Sequence, residues 1–314
     1  MDEFDLIRRF FLRPPCRPET RLGIGDDCAL LEMCGQRLAA TIDTLISGVH
    51  FLPGTDPVSL GHRALAVSLS DLAAMGAEPT WALLALTLPE ADPAWLEGFA
   101  QGFFALAQRY RVDLVGGNTA RGPLTISVQA LGWVSRSKAL LRSAARVGDW
   151  VCVSGKLGEA GLGLKMLKGE IAWREAGAIE RLLKPTPRVE LGIALRGLAH
   201  ACIDVSDGLA QDLGQVLAAS QVGATLEWEA LPLSDSVRRY IAETGDWRLP
   251  LCAGDDYELC FTVPARKALA LEQRLRELNL SWHRIGTIER RLGLRLRRAN
   301  QVIDLPAVGY RHFE

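Results

Sequence analysis

Adjacent aspartates are the residues in this sequence that most directly indicate chemistry. Asp26 and Asp27 follow Gly23 and Gly25 in one short loop and precede a small apolar run. Two neighbouring carboxylates repel each other and lose solvation when partly buried, so a cation or several donors must hold them together. Aspartate and glycine are also common turn residues, and a solvated turn is the simpler explanation of this loop taken alone. The interpretation therefore depends on where other carboxylates lie.

Other aspartates occur at predicted strand ends or in loops rich in glycine, serine and threonine, and Asp71 lies near the end of a predicted helix. Those in the strand ends and loops are Asp43, Asp204, Asp207, Asp255 and Asp256. Such loops gather at one edge of a sheet, which predicts a carboxylate cluster beside Thr41, Thr44 and Ser206. An all-oxygen environment suits magnesium, and not zinc or copper. Magnesium is usually held by a few carboxylates together with substrate phosphates, so the cluster predicts a phosphate substrate.

The familiar nucleotide-binding loops are missing from the sequence. Gly155-Lys156 is followed by leucine and lacks the upstream glycine of a P-loop, while Gly158, Gly161 and Gly163 do not have the Rossmann spacing. The first lysine is Lys138. Phosphate charge in the N-terminal half must therefore be neutralised by metal, arginine, histidine or backbone amides.

Composition limits the class of protein. The chain has 314 residues, which favours two domains, and its 48% hydrophobic and 23% charged content is that of a globular protein. A net charge of −1 without a dense basic run argues against nucleic-acid binding, and no apolar stretch is long enough to predict a membrane span. Seven scattered cysteines without a Cys-x-x-Cys pair, and an acidic N-terminus, predict reduced thiols and a cytoplasmic location.

Sheet and helix are predicted in both halves. In the first half, strands are predicted at 37–44, 81–88, 112–115 and 124–130, and helices at about 57–75 and after Asp92-Pro93. A loop, Gly116 to Thr119, is predicted to follow the third of these strands. In the second half, strands are predicted at 150–153, 202–205, 224–228, 257–263, 282–288 and 293–297, with helices between them. The sequence thus predicts an α+β (mixed α/β) fold with two domains, 1–137 and 138–314, each a mixed sheet packed with helices.

Two short sequences occur in both halves of the chain. Gly254-Asp255-Asp256 repeats Gly25-Asp26-Asp27, and Ile203-Asp204 repeats Ile42-Asp43. A duplicated architecture with one site between the halves would explain this echo. Chance recurrence of a common tripeptide explains it as well, because echoes this short lie below what repeat detection supports.

Several motifs together resemble one family. They are Gly23-Ile24-Gly25-Asp26-Asp27, Ile42-Asp43-Thr44 with Gly48-Val49-His50-Phe51, Ser70-Asp71-Leu72-Ala73-Ala74-Met75-Gly76-Ala77, Gly116-Gly117-Asn118-Thr119, Asp204-Val205-Ser206-Asp207-Gly208-Leu209 and Gly254-Asp255-Asp256-Tyr257-Glu258-Leu259. In this order they resemble the thiamine-monophosphate kinases, which belong to the aminoimidazole-ribonucleotide synthetase superfamily. The resemblance extends to Gly309-Tyr310-Arg311-His312-Phe313 and so covers nearly the whole chain.

The resemblance implies an aminoimidazole-ribonucleotide-synthetase-like fold and an ATP-dependent, magnesium-dependent kinase that converts thiamine monophosphate to thiamine diphosphate and ADP. It implies an N-terminal domain that binds ATP and metal, a C-terminal domain that completes the site, and a homodimer formed by N-terminal sheets. The residues implied around several magnesium ions are Asp26, Thr41, Ile42 through its carbonyl, Asp43, Asp71, Asn118, Asp204 and Asp207. Those implied for ATP are Gly117, Asn118, Arg142 and Ser206, and those for the thiamine phosphate are His50, Asp255 and Tyr310. Asp207 and Arg142 are the implied catalytic residues.

Phosphoryl transfer to a phosphate needs no strong general base, because the acceptor is already a nucleophile at neutral pH. Alignment and charge neutralisation then supply the catalysis, which predicts direct in-line transfer without a phosphoenzyme. The family commonly has aspartate where Asn118 stands, and water or a neighbouring oxygen is expected to complete the metal shell there. Within the first loop, Asp26 is expected at the metals, and Asp27 is expected to accept backbone donors.

Alternative readings remain open from the sequence. Arg142 is also explained as a surface arginine, His50 as a loop histidine and Tyr310 as a packing residue. Another ATP-dependent synthetase of the superfamily would share the ATP half, although a selenophosphate synthetase would need a lysine near Cys16. A magnesium-dependent phosphohydrolase would use the carboxylates without ATP. A noncatalytic metal-binding scaffold would need neither substrate.

Overall fold

The structure, a computed structural model, describes residues 3–12, 14–33, 35–136, 138–306, 308–310 and 312. Cys34, Arg311 and Phe313, which figure in the sequence predictions, lie outside the described residues, as does Ser137 at the predicted domain boundary. Within the described residues the chain forms two mixed sheets, each packed with helices. The predicted α+β fold class is confirmed.

The first sheet has the strand order β1-β2-β3-β6-β4-β5, in which β4 and β5 are parallel and the other pairs antiparallel. Its strands are β1 (Thr20–Leu22), β2 (Ala29–Met33), β3 (Gln36–Ile46), β4 (Glu78–Leu88), β5 (Asp113–Arg121) and β6 (Thr125–Val134). The helices of this unit are α1 (Glu3–Leu6), continued by a π-helical turn at Ile7–Phe11, α2 (Pro57–Ala74) and α3 (Pro93–Tyr110).

Helix α2 lies at the centre of the molecule. The Asp56 carboxylate caps its first turn by accepting the Ser59 N–H at 2.9 Å, and Pro57 is the first residue of the helix. Glycines allow α2 and α3 to cross closely: a Cβ on Gly61 would lie 2.0 Å from the Phe99 carbonyl oxygen. Most of α2 is buried as a result.

The second sheet has the order β13-β12-β9-β11-β7-β10-β8, with β9 and β12 parallel. Its strands are β7 (Asp149–Val153), β8 (Cys202–Asp204), β9 (Gly223–Glu227), β10 (Leu259–Pro264), β11 (His283–Glu289), β12 (Gly293–Arg298) and β13 (Gln301–Asp304). Its helices are α4 (Glu159–Leu167), α5 (Ala176–Leu183), α6 (Val189–Leu195), α7 (Leu209–Ser220), α8 (Asp235–Thr244), α9 (Leu249–Cys252) and α10 (Ala268–Glu277). Short 3₁₀ turns lie at Arg142–Ala144, Trp228–Ala230 and Ala265–Lys267.

The two units share a core. One continuous apolar cluster contains Leu65 of α2, Phe103 of α3 and Phe261 of β10. Helix α6 approaches α2 so closely that a Cβ on Gly192 would lie 2.0 Å from the Ala73 carbonyl oxygen. Loops from both units therefore meet along α2. Among the described residues, no helix is both long enough and apolar enough to cross a membrane.

Some predicted element boundaries are wrong. Gly116 to Thr119 do not form a loop after a strand but lie inside β5, which continues to Arg121. Asp43 does not end its strand, because β3 extends to Ile46. Both strands are longer than their apolar runs, because a long neighbouring strand, β4 or β6, pairs with them and overrides local propensity.

Candidate active site

Three carboxylates from separate elements meet between the two units. Asp27 precedes β2, Asp71 lies near the end of α2, and Asp204 is the last residue of β8. One oxygen from each of the three lies within 4.8 Å of the others. Acidic groups this close need a cation, shared protons or hydrogen-bond donors. The predicted gathering of carboxylates therefore occurs here, and it includes Asp27, which was not predicted as a metal ligand.

Strand β3 supplies the neighbouring oxygens. Alternate residues face opposite sides of a strand, so Thr41 and Asp43 both face α2, whereas the Ile42 side chain is 65% exposed on the other face. The Thr41 hydroxyl donates a hydrogen bond to the Asp71 carboxylate. The Ser68 hydroxyl of α2 donates to Asp43 at 2.7 Å. The predicted ligands Thr41, Asp43 and Asp71 are thus brought together.

The charge state of these buried carboxylates is perturbed. Burial, followed by the nearby Asp27 carboxylate, raises the pKa of Asp204 to about 8, although the Ser70 hydroxyl, donating at 2.6 Å, opposes the shift. Burial, followed by the nearby Asp43 carboxylate, raises the pKa of Asp71 well above its ordinary value. At neutral pH the cluster therefore holds protons, and a bound cation is the natural replacement for them.

In the first loop it is Asp26, and not Asp27 as expected, that accepts backbone donors. Asp26 accepts backbone N–H groups, from Asp27 at 3.0 Å and from Arg142 at 3.1 Å. Asp27 instead accepts the Arg142 guanidinium at 2.7 Å and joins the cluster. Burial and then the Asp27 carboxylate raise the pKa of Asp26 to about 7. The Asp26 side chain is thus held by one backbone donor of its own loop and one of the Arg142 turn, whereas Asp27 lies within the carboxylate cluster.

Asp207 lies in a turn that two unpredicted residues hold. The backbone N–H groups of Asp207 and Gly208 donate to Asp212 Oδ2 at 3.1 and 3.0 Å. The Gln211 amide donates to Asp207 Oδ2 at 2.8 Å, and burial raises the pKa of Asp207. An acidic residue in the first turn of α7 was a signal for this capping, because carboxylates favour helix N-termini.

A cavity of about 980 Å³ opens beside the cluster. Its walls include all three residues predicted for the thiamine phosphate, His50, Asp255 and Tyr310, and also Asp43 and Asp207. The rest of the wall includes Arg63 of α2, Ser206 after β8, Lys165 and Lys168 at the end of α4, and Leu182 of α5. Metal-site and substrate candidates from distant parts of the sequence thus share one cavity.

The C-terminal segment covers part of this cavity. The Tyr310 N–H donates to the Asp207 carbonyl at 3.0 Å, and the Tyr310 carbonyl accepts the Gln211 amide at 2.9 Å. Ring centroids lie 4.9 Å apart for Tyr310 and His312, and 5.0 Å apart for His312 and His50. Burial, then His312, lowers the pKa of His50. Tyr310 is therefore attached directly to the turn that carries Asp207.

Two ATP candidates lie elsewhere on the surface. Gly117 and Asn118 are exposed in β5, an edge strand of the first sheet. Gly117 has φ +152° and no room for a side chain, since a Cβ would lie 1.8 Å from the Leu84 carbonyl oxygen. Within the described part of the chain, neither a hydrogen bond nor an ion pair links Asn118 to the carboxylate cluster. Within one chain, Arg142 therefore contacts the predicted metal ligands, whereas Gly117 and Asn118 lie apart from them.

Comparisons with known proteins point to one family. Residues 25–134 match "AIR synthase related protein, N-terminal domain", and residues 146–298 match the C-terminal domain of the same family. A curated thiamine-monophosphate kinase from Escherichia coli O157:H7 is 45% identical over 318 residues, covering 99% of this chain and 98% of that protein.

Two solved structures are also similar. The thiamine-monophosphate kinase of Stenotrophomonas maltophilia K279a has 46% identity and a TM-score of 0.80, with 89% of this chain and 92% of that chain covered. A structure described as "AaThiL complexed with AMPPCP and TMP" has 33% identity and a TM-score of 0.86, with coverage of 99% and 97%.

Proposed function

We propose direct in-line phosphoryl transfer as the mechanism of this chain, which belongs to the AIR synthase related family and, within it, to the thiamine-monophosphate kinases. It is an ATP-dependent kinase that converts thiamine monophosphate to thiamine diphosphate and ADP. The family resemblance seen in the sequence motifs is confirmed. The structural observation that best supports the mechanism is the carboxylate cluster of Asp27, Asp71 and Asp204 beside one large cavity.

Magnesium, as several ions, is the proposed metal. The buried carboxylate and hydroxyl oxygens fit this ion, and the raised pKa values of Asp71 and Asp204 support a site that takes up positive charge. We propose Asp27 as a ligand alongside the predicted set: Asp26, Thr41, Ile42, Asp43, Asp71, Asn118, Asp204 and Asp207. Bound magnesium supplies charge neutralisation to the phosphate groups.

The chain's own residues hold and align the two anions. His50, Asp255 and Tyr310 line the cavity and are proposed to bind thiamine monophosphate. Arg142 and Ser206 are proposed to bind ATP together with Gly117 and Asn118. Arg142 and Asp207 are the proposed catalytic residues. Arg142 would stabilise the negative charge that develops in the transition state, and Asp207 would hold magnesium at the cavity wall. The acceptor phosphate attacks the γ-phosphorus directly, since no group need deprotonate it first.

The decisive experiment measures turnover with ATP and magnesium. Thiamine monophosphate should be phosphorylated, whereas free thiamine and aminoimidazole-type substrates should not. ATP labelled at the γ-phosphate should leave no label on the protein when the acceptor is omitted. A labelled phosphoprotein would contradict direct transfer, and absence of thiamine diphosphate would contradict the assigned function.

A homodimer formed by N-terminal sheets is also proposed. Apolar side chains on β3 and β5 support it, since Ile42, Ile46 and Val115 are 65%, 37% and 57% exposed. The unpaired edge of β5 and its exposed Gly117 and Asn118 lie on the same unit. The molar mass in solution, measured by light scattering, tests this proposal.

The cellular location and the domain boundary are proposals as well. The cytoplasm is proposed because Cys28, Cys152, Cys202 and Cys260 are buried free thiols, as expected in a reducing compartment. Domains 1–137 and 138–314 are proposed to fold as the ATP- and metal-binding unit and the unit that completes the site. Limited proteolysis near the polar passage 135–143 would test that boundary.

A further inference from the structure

Arg63 is a buried cation at the cavity for which the proposed mechanism has no use. This residue of α2 is 3% exposed, yet it lines the cavity. Its guanidinium donates to the Leu182 carbonyl at 2.9 Å, to the His50 carbonyl at 3.0 Å and to Asp255 Oδ1 at 2.7 Å. One side chain therefore ties together α2, the loop of His50, the end of α5 and the loop of Asp255.

The two carboxylate oxygens of Asp255 differ in their hydrogen bonds. Oδ1 accepts hydrogen bonds from Arg63 and, at 3.3 Å, from the Tyr257 hydroxyl. Within the described part of the chain, Oδ2 accepts none, and the side chain lines the cavity. Asp255 also has φ +68°, an uncommon conformation for a residue with a side chain. The loop therefore needs outside support to keep this carboxylate in place.

Charge explains why an arginine is tolerated in this buried position. Burial is the largest single influence on Arg63 and lowers its pKa, but the Asp255 carboxylate and Tyr257 together outweigh burial, so the pKa is raised overall. Burial raises the pKa of Tyr257 well above its ordinary value, so its hydroxyl stays protonated as a donor. A planar guanidinium can bridge several acceptors in fixed directions, which a lysine ammonium does less well.

We infer that Arg63 is a positioning residue for the acceptor substrate. Arg63 holds the Asp255 carboxylate and the His50 loop in place at the wall of the cavity. It acts through these two residues and leaves Asp255 Oδ2 open to an N–H donor of the substrate. A carboxylate repels phosphate, so this oxygen faces the organic part of thiamine monophosphate and not its phosphate. The inference rests on the proposed substrate roles of His50 and Asp255.

Kinetics of Arg63 variants test the inference. Arg63→Met should raise KM for thiamine monophosphate about tenfold, because the half-buried Asp255 carboxylate loses its partner, while KM for ATP stays within about twofold. Arg63→Lys should recover part of the loss. Arg63→Gln keeps a hydrogen-bond donor but removes the charge. If the methionine variant does not fold, the glutamine variant should show the same selective rise in KM for thiamine monophosphate.

A double-mutant cycle with Asp255→Asn separates positioning from general loosening. If Arg63 acts through Asp255, the double variant Arg63→Met with Asp255→Asn should have a KM close to that of the worse single variant. Multiplicative losses, an unchanged KM for thiamine monophosphate, or equal increases in both KM values would overturn the inference.

Arg295→Met is the matched control. Arg295 is also a buried arginine, 3% exposed, and it pairs with Glu289 at 2.8 Å in the second sheet, away from the cavity. Its variant should lower thermal stability without changing either KM, and a raised KM for thiamine monophosphate there would overturn the inference. If the unmodified protein forms no thiamine diphosphate, the assigned function has failed; if it does and Arg63→Met matches it, only the positioning role has failed.

Discussion

The Gly-Asp-Asp tripeptide occurs twice in this chain and is used differently each time. In both loops one aspartate accepts a hydrogen bond from an arginine in the other half of the chain. Asp27 pairs with Arg142 at 2.7 Å, and Asp255 pairs with Arg63 at 2.7 Å. The two loops thus help to fasten the halves together around one cavity.

The loops differ in which aspartate takes the arginine. The second aspartate does so in the first loop, whereas in the second loop Asp256 accepts the Gly158 N–H at 2.8 Å and supports the start of α4. The backbone differs as well, with a positive φ at Gly25 in one loop and at Asp255 in the other. The first loop contributes Asp27 to the cluster with Asp71 and Asp204. Neighbouring elements, and not the tripeptide, therefore decide each role.

The largest expected effect separates the aspartates of the first loop. Asp27→Asn should lower kcat about 10³-fold, because the proposed metal site loses one charge, whereas Asp26→Asn should lower kcat about tenfold. Steady-state kinetics at saturating ATP and magnesium measure both. Circular dichroism serves as the folding control, and equal losses would contradict the division of roles.

Magnesium removal should make stability depend on pH. The Asp204 pKa of about 8 exceeds its unfolded value of about 4, so between these values the folded chain binds more protons than the unfolded chain. Stability should therefore be greatest at the acidic end of this window and fall as pH rises toward about 8. Added magnesium should offset the loss.

Thermal unfolding with a chelator or with magnesium measures this effect. The Tm in the chelator should fall by several degrees from about pH 5 to about pH 8, and Asp204→Asn should weaken that slope. A Tm that rises with pH in the chelator would show that the cluster is not protonated as described.

Substitution of Asp256 in the second loop should have a smaller effect than substitution of Asp27 in the first. Asp256→Asn keeps an acceptor for the Gly158 N–H and removes a carboxylate whose pKa burial raises to about 8. The change in unfolding free energy should be within about 1 kcal/mol, with KM for thiamine monophosphate unchanged. Asp255→Asn is the paired variant and should raise that KM. Equal changes in KM would mean that the two aspartates share one role.

The smallest effect is expected at Asn118. Asn118→Asp restores the carboxylate common in the family, but magnesium keeps several waters and its requirement should change by no more than about twofold. A magnesium titration of the initial rate measures it. A large drop in the magnesium requirement would show that the amide limits metal binding.

Local patterns in the sequence were sufficient for much of the fold. Helix α2 was predicted from Pro57, with its end placed one residue beyond the observed Ala74, because proline and glycine act through local backbone geometry. The all-oxygen character of the site also follows from residue types alone. The motifs identified the family, and hence the reaction, because each is a set of adjacent residues.

The tertiary structure decided which of these residues act together. The sequence did not indicate that Asp27 lies beside Asp71 and Asp204. Nor did it indicate the hydroxyl contacts of Ser68 and Ser70 or the two arginines that pair between the halves. Arg63 and Asp255 are 192 residues apart in the sequence, and no local pattern links them. Such pairs depend on how helix α2 packs between the sheets, because side-chain direction and burial are set by distant neighbours. The sequence alone determined the kind of chemistry, and the packing around α2 determined which side chains are placed to perform it.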